Sequence, residues 1–290
     1  MKASRGEKVF YAVNDFLLLI VGLSCLFPLI HIMSMSLSSA NAVMAGRVSV
    51  FPIDINLESF RVLFNGTPIV RAFYNNVVIT VVGVLISLAA TVCGAFPLSR
   101  KYFYGRKFFT MMCVFTMLFG GGLIPTYLVV RNLGLVNTYW ALWLPGLVGT
   151  WNMLVMRAFF QNIPAELEEA ARIDGCSEVQ LIFRVFIPLS LPAMATMSLH
   201  YGVNGWNAFM SVLIYINDSA KYNLGVLINN MISNSTVLGD QYVKPEEILL
   251  VTPEGVQAAG IMVMIIPILM VYPFLQKYFV KGTMLGSIKG

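Results

Sequence analysis

The chain has 290 residues, of which 58% are apolar or aromatic and only 11% charged, whereas a soluble domain carries about 25% charged residues. A soluble fold of this length has no room to hide so much apolar sequence from water, and the same figures exclude disordered, collagenous and disulfide-stapled proteins. The four cysteines, Cys25, Cys93, Cys113 and Cys176, are widely spaced and form no paired motif that would hold zinc. What remains is an integral membrane protein.

In chain order, six stretches reach the roughly 18 apolar residues a helix needs to cross a bilayer: 10–33, 72–97, 108–130, 139–160, 189–216 and 256–280. No run of about 10 alternating residues suggests a membrane barrel, so the expected fold is all-α with six transmembrane helices. The first stretch lacks the small-residue cleavage pattern of a secretory signal and is read as a span.

Lys and Arg set the orientation. Thirteen of the 19 fall on one side: Lys2, Arg5 and Lys8; Arg100, Lys101, Arg106 and Lys107; Arg157, Arg172 and Arg184; Lys277, Lys281 and Lys289. Both termini are therefore expected in the cytoplasm. This topology accounts for the net charge of +5, and no nucleic-acid partner is needed.

The organisation expected is a tail and first span (1–33), an extracytoplasmic loop (34–71), a core of five spans (72–280) and a cytoplasmic tail (281–290). Two outer loops, 34–71 and 217–255, exceed the length at which a connection is expected to lack structure. They should fold or dock on something external.

The inner loop, 161–188, is the most legible. Pro164 suits a helix start, Glu166, Glu168 and Glu169 complement the positive end of the helix dipole, and Gly175 provides a stop. Ser177 and Gln180 form a capping-box pattern for a second helix, which Pro188 and Pro192 should end. Ala170 and Ala171 leave a low profile that another protein could approach. Asp174, near the unfavourable end of the dipole, is expected to have a partner.

Glu169-Ala170-Ala171, three residues, Gly175, nine residues, and then Val185-Phe186-Ile187-Pro188 resembles the EAA motif of permease subunits in binding-protein-dependent ABC importers. Val185 and Ile187 stand where that motif has Ile and Leu. Gly120–Tyr127, Leu133-Gly134-Leu135, Asn137–Leu142, Gly205-Trp206-Asn207 and Gln276–Gly282 are similar to the carbohydrate-uptake branch, in particular its subgroup for oligosaccharides from complex or acidic polysaccharides such as alginate. The resemblance covers most of the chain from about residue 72 onward.

The resemblance implies a type I importer permease in a bacterial cytoplasmic membrane, itself non-catalytic and binding no cofactor. ATP and Mg would be used by two partner ATPase subunits. A second permease, commonly a different chain, and an extracytoplasmic solute-binding protein complete the assembly, with the first span embracing the second permease. Glu166, Glu168, Glu169, Ala170, Ala171, Asp174, Gly175 and Pro188 would form the ATPase-coupling surface, with Glu169 the pairing charge. The outer loop 217–255 would dock the binding protein or scoop the sugar.

Within the spans, polar residues concentrate in the fifth. His200, Tyr201, Asn204, Trp206 and Asn207 offer amides and aromatic faces suited to sugar, with Gly202 and Gly205 expected to interrupt the helix; Asn152 in the fourth span joins them as a candidate for the substrate path. Asn75 and Asn76 are read as interfacial. No phosphate-binding glycine loop with Lys-Ser/Thr, no GxSxG or HExxH, and no metal-ligand cluster is present. The Gly120-Gly121-Gly122 run suits close packing or a hinge. An ion-coupled secondary transporter is the alternative, and it lacks a carboxylate in mid-membrane.

Overall fold

The computed structural model describes the backbone of residues 5–233 and 251–287 and the side chains of 6–233 and 251–273. Among these residues there are helices, turns and loops and no strand. Much of the expected outer loop 217–255 therefore lies outside the described residues, as do the side chains of Gln276–Gly282. Gly6–Ser36, Ile69–Ser99 and Pro253–Pro273 are each long and apolar enough to cross a membrane.

Two compact units are distinguished. The first comprises Met1–Val70 with Leu227–Pro267. Its helix α1 (Arg5–Ser36) is apolar on every side, and none of its most apolar window is buried, leaving it to face lipid or another protein. The segment after it is a pinned structure. His31 Nδ1 lies 2.8 Å from the Ser49 carbonyl, Ser34 Oγ donates to Val50 O at 2.6 Å, and the Ser38 hydroxyl accepts from Ile53 N at 3.0 Å. Two short helices follow, α2 (Ala40–Met44), capped by Ser39, and α3 (Glu58–Gly66). Hydroxyls on the buried Ser34 and Ser38 thus satisfy backbone groups that a loop would otherwise expose.

The second unit comprises Arg71–Val226 with Ile268–Gly290. Helix α4 (Ile69–Ser99) is its longest element. Next come α5 (Arg106–Leu118) and α6 (Leu123–Asn132), which bend by 116° across the Gly120-Gly121-Gly122 run. Gly122, at φ +81°, adopts a backbone that only glycine enters cheaply, so the run breaks the helix here. The third expected span is therefore a bent pair of helices.

The expected span 139–160 is not one helix either. It comprises α7 (Trp140–Trp143), a turn at Pro145-Gly146, and α8 (Thr150–Gln161). Hydropathy sees the apolar run and not the proline that interrupts it. α9 (Ala165–Ile173) and α10 (Glu178–Leu189) lie in the inner loop, followed by α11 (Leu191–Trp206) and α12 (Met210–Tyr215). α10 and α11 meet at 84° around the buried Ser190. α13 (Leu224–Ser233) and α14 (Pro253–Ser287) complete the order.

α10 ends at Leu189, between Pro188 and Pro192 as expected, but its last turns are irregular. Having no N–H to give Arg184, Pro188 forces the ladder to slip, and Ile187 N–H bonds back to Ile182 O through a π turn, Ile182–Phe186. The turn places Phe186 in the core, edge-on to Phe96 at 5.0 Å and to Phe160 at 5.4 Å between ring centroids. Met156, Leu181 and Met197 fill the same cluster.

Small residues set the remaining close approaches. α11 runs unbroken through Gly202 and Gly205, and a Cβ on Gly205 would meet the Thr80 Cα at 3.3 Å, so this glycine serves close helix packing. Gly83 makes room in the same way for Trp143, whose Nε1 donates to Ile79 O at 3.0 Å.

Candidate coupling surface and transport path

The inner loop forms from local signals. Pro164 occupies the N-cap of α9, one residue before the position expected, with an extended ψ of 135°. Gly175 sits at φ +82° with nothing within 4 Å of where a Cβ would be, so only the backbone angle demands glycine. Cys176 N–H then bonds Ala171 O at 3.0 Å. The capping box is complete, with Ser177 N–H donating to Gln180 Oε1 at 2.9 Å and Gln180 N–H to Ser177 Oγ at 3.3 Å.

Tertiary contacts then divide the three glutamates. Glu168 is buried and pairs with Arg100, the residue that follows α4, and with Arg172 at 2.9 Å. Arg100 is 8% exposed and spends its other donors on Ser99 Oγ at 2.9 Å and Phe160 O at 2.6 Å. Its guanidinium lies over the Phe186 ring, 4.7 Å from the centroid. Arg172 continues the network to Glu178 at 2.7 Å and to the Tyr102 hydroxyl at 2.7 Å, and Tyr102 donates to Glu178 at 3.0 Å.

The electrostatics follow from this geometry. The Arg172 hydrogen bond holds the Glu178 carboxyl below the usual carboxylate range, and burial followed by the Glu178 hydrogen bond pushes the Tyr102 phenol up to about 12. Arg172 is held more firmly protonated by Glu178 first and Glu168 second.

Glu166, Glu169, Ala170 and Asp174 face outward, and Glu169 makes no ion pair among the described residues. Beside them stand the exposed apolar side chains Leu167, Ile173 (86% exposed), Val179 and Phe183. Ala171 turns inward against the core cluster, and Pro188 is exposed. The eight residues expected at the coupling surface thus divide into exposed Glu166, Glu169, Ala170, Asp174 and Pro188, the Gly175 turn, and Glu168 and Ala171, which are committed internally. An open cavity of about 880 Å³ lies beside α9, lined by Arg100, Glu166, Glu169 and Arg106 among others.

The expected path residues also separate. His200 and Asn204 are exposed on α11, and Asn207, at its end, donates to Val203 O at 3.0 Å. His200 Nδ1 lies 3.0 Å from Asn152 Nδ2, with the Trp151 ring 5.7 Å from the imidazole. The Asn152 side chain is buried, and its Oδ1 has no hydrogen-bond partner among the described residues. Tyr201 turns inward. Its hydroxyl accepts from Gly149 N–H at 3.0 Å and shares a 2.7 Å hydrogen bond with Thr91, joining α4, α8 and α11. Trp206 packs edge-on against Phe73.

Tyr201 and Asn204 also border a cavity of about 190 Å³ with Thr80, Ser87, Trp143 and Ser211. The Thr80 hydroxyl is buried without a hydrogen-bond partner among the described residues. Sequence reading missed these four, since neither a single hydroxyl nor a lone tryptophan in an apolar helix carries a periodic signal.

Asn75 and Asn76, read from the sequence as interfacial, are buried within the fold. Asn75 Nδ2 donates to Ala220 O and Tyr222 O, both at 2.9 Å, and Asn76 Nδ2 to Trp206 O at 3.4 Å. Asn137, at φ +65°, accepts from the N–H groups of Asn217 and Asp218 at 3.2 and 3.0 Å. Asn75 and Asn137 thus anchor the start of the outer loop.

Residues 42–284 match the family model described as binding-protein-dependent transport system inner membrane component. The chain is 39% identical to the polygalacturonan/rhamnogalacturonan transport system permease protein YtcP of Bacillus subtilis (strain 168), over 94% of this chain and 96% of that one. It is also 39% identical to Protein LplC of the same organism, over 100% and 98%. Among solved structures it superposes with a TM-score of 0.88 and 35% identity on a chain of a bacterial ABC transporter involved in the import of the acidic polysaccharide alginate, covering 96% of this chain and 99% of that one.

Proposed function

Because the chain belongs to the family of inner membrane components of binding-protein-dependent transport systems, we propose that it is the permease subunit of an ATP-driven importer for acidic, uronate-containing oligosaccharides. The observation that carries the substrate class is the near full-length similarity to two transport proteins of this chemistry. One is named for polygalacturonan and rhamnogalacturonan, the other for alginate import.

In this reading both termini are cytoplasmic, and α9 with the Gly175 turn is the element that docks on an ATPase subunit. Its support is the outward group Glu166, Glu169 and Ala170, edged by Leu167, Ile173 and Val179. Such a surface offers a pairing charge, a low profile and apolar area together, as a protein interface requires. One chain presents one such surface, so a second permease, for which the uncovered α1 is available, serves the second ATPase subunit. A binding protein delivers sugar from outside. The chain transmits the work of hydrolysis and performs none of the chemistry. ATP-driven closure of the ATPase pair moves the docked helices, and the permeases rock between inward- and outward-facing states.

The test is to purify the tagged chain from its native membrane in mild detergent, identify its partners by mass spectrometry, and reconstitute the complex. Uptake of oligogalacturonides, alginate oligosaccharides and neutral maltooligosaccharides is then compared with and without ATP. Recovery of an ATPase and a second permease, with ATP-dependent uptake of the uronate probes, supports the proposal. A chain that purifies alone, or uptake that survives ATP loss and follows an ion gradient, overturns it in favour of a secondary transporter.

A further inference from the structure

We infer that Arg100 and Glu168 form an internal strut that turns displacement of the surface helix α9 into displacement of the membrane helix α4, and that Glu168 is a positioning residue with no part in ATPase docking. The inference rests on the importer reading above and deepens it.

The observation is the combination of burial, geometry and sequence distance. These two charges are nearly dry, with side chains 9% and 11% exposed, and they join positions 68 residues apart in the chain. A buried ion pair contributes little net stability compared with an apolar pair of the same shape, because desolvating both charges offsets their attraction. Its distinguishing property is directional. A planar guanidinium whose three nitrogens each bond a different partner, one of them Glu168, fixes both distance and orientation, which apolar packing does not.

Here the guanidinium is held from behind. Arg100 is clamped to Ser99, to the Phe160 carbonyl at the end of α8, and over the Phe186 ring of α10. Glu168 is held from the other side by Arg172, four residues along the same helix, which is itself braced by Glu178 and Tyr102. The surface helix, the turn after it and the end of α4 are thereby one bonded body, with no slack to absorb a push applied at Glu169. Alternation of roles along the helix fits the same picture. Glu168 points in to the strut, and Glu169, about 100° further round the helix, points out to a partner.

The experiment uses the assembled importer, the chain with its partner permease, ATPase subunits and binding protein, reconstituted in vesicles. The probe is whichever of the oligogalacturonide, alginate and maltooligosaccharide sets the wild-type complex imports. The test variant is Arg100→Met/Glu168→Met, which removes the ion pair and keeps apolar volume, and Glu169→Gln is the comparison. ATPase content, hydrolysis and sugar moved per ATP are read for each.

The double variant should retain its ATPase subunits and hydrolyse ATP while sugar moved per ATP falls about tenfold or more. Glu169→Gln should instead weaken ATPase retention. Sugar per ATP within twofold of wild type in the double variant overturns the strut. So does loss of ATPase subunits from a double variant that still accumulates in the membrane, which would make Glu168 a docking charge. Failure to accumulate at all would also overturn it, by making the pair a requirement for folding. A wild-type complex that imports no probe with ATP would sink the importer reading itself, a result separate from all three.

Discussion

Glu168 and Glu169 are neighbours in the chain that face opposite ways. The first is buried in an ion pair with Arg100, and the second is exposed with no ion pair among the described residues. Two identical side chains, one helical step apart, are thus given opposite surroundings, one dry and paired and the other open to solvent.

Reversing the outer charge should separate assembly from insertion. Glu169→Lys is expected to reach the membrane at wild-type level, because nothing inside the fold depends on it, and to abolish uptake. Membrane abundance and uptake measured together check this, and normal uptake would remove Glu169 from the docking surface.

Gly175 is demanded by its backbone angle alone, since a Cβ there meets nothing within 4 Å. Gly175→Ala should therefore cost about 1–2 kcal/mol for an L-residue in the left-handed region, and Gly175→Asn less, because Asn tolerates that region. Protease sensitivity of the inner loop in inverted vesicles should rise in the order wild type, Asn, Ala. Equal sensitivity in all three would mean that the turn is not held in this conformation.

Tyr201 and Asn204 should respond in different ways. Tyr201→Phe leaves the Gly149 N–H and the Thr91 hydroxyl without their shared partner. It should cost about 1–3 kcal/mol, seen as a lower thermal midpoint of the purified complex. Asn204→Ala, on an exposed position, should leave that midpoint unchanged and raise the KM for sugar. A reversed pattern would exchange the structural and path roles.

The latch of Arg172, Glu178 and Tyr102 should be acid-sensitive. The folded Glu178 pKa lies below its ordinary value of 4.5, so its contribution is fully present above that value and is lost as pH falls through the depressed one. Tyr102, raised to about 12, keeps its proton throughout the physiological range. Protease protection of residues 172–180 should hold from pH 8 to about 5 and fail in more acidic buffer. Glu178→Gln should weaken protection at neutral pH and flatten the acid dependence.

Asn137 combines a left-handed backbone with a side-chain oxygen that accepts two N–H groups of the outer loop. Asn137→Gly keeps the first property and loses the second, whereas Asn137→Ala loses both. External protease should cut near residue 217 faster in both variants, fastest in Ala. Unchanged cleavage in Gly would show that the backbone angle alone holds the loop.

By itself the sequence determined what depends on near neighbours along the chain. Apolar runs fixed membrane residence and the long helices. The Pro164, Gly175 and Ser177–Gln180 signals placed the inner helices, and the glycine run marked the bend between α5 and α6, because capping and backbone angles are settled within about one helical turn. Even there, hydropathy overlooked the break at Pro145-Gly146, and the π turn just ahead of Pro188 was not foreseen although the end of the helix was.

Only the tertiary structure decided which way otherwise equivalent polar residues face. Burial of Glu168 depends on Arg100, 68 residues away, the role of Tyr201 on Gly149 and Thr91, and that of Asn75 on carbonyls about 145 residues downstream. A polar group in an apolar helix costs the same by composition whether it meets a partner, a substrate or nothing. Which of these it meets is fixed when distant helices pack, and no local pattern encodes that.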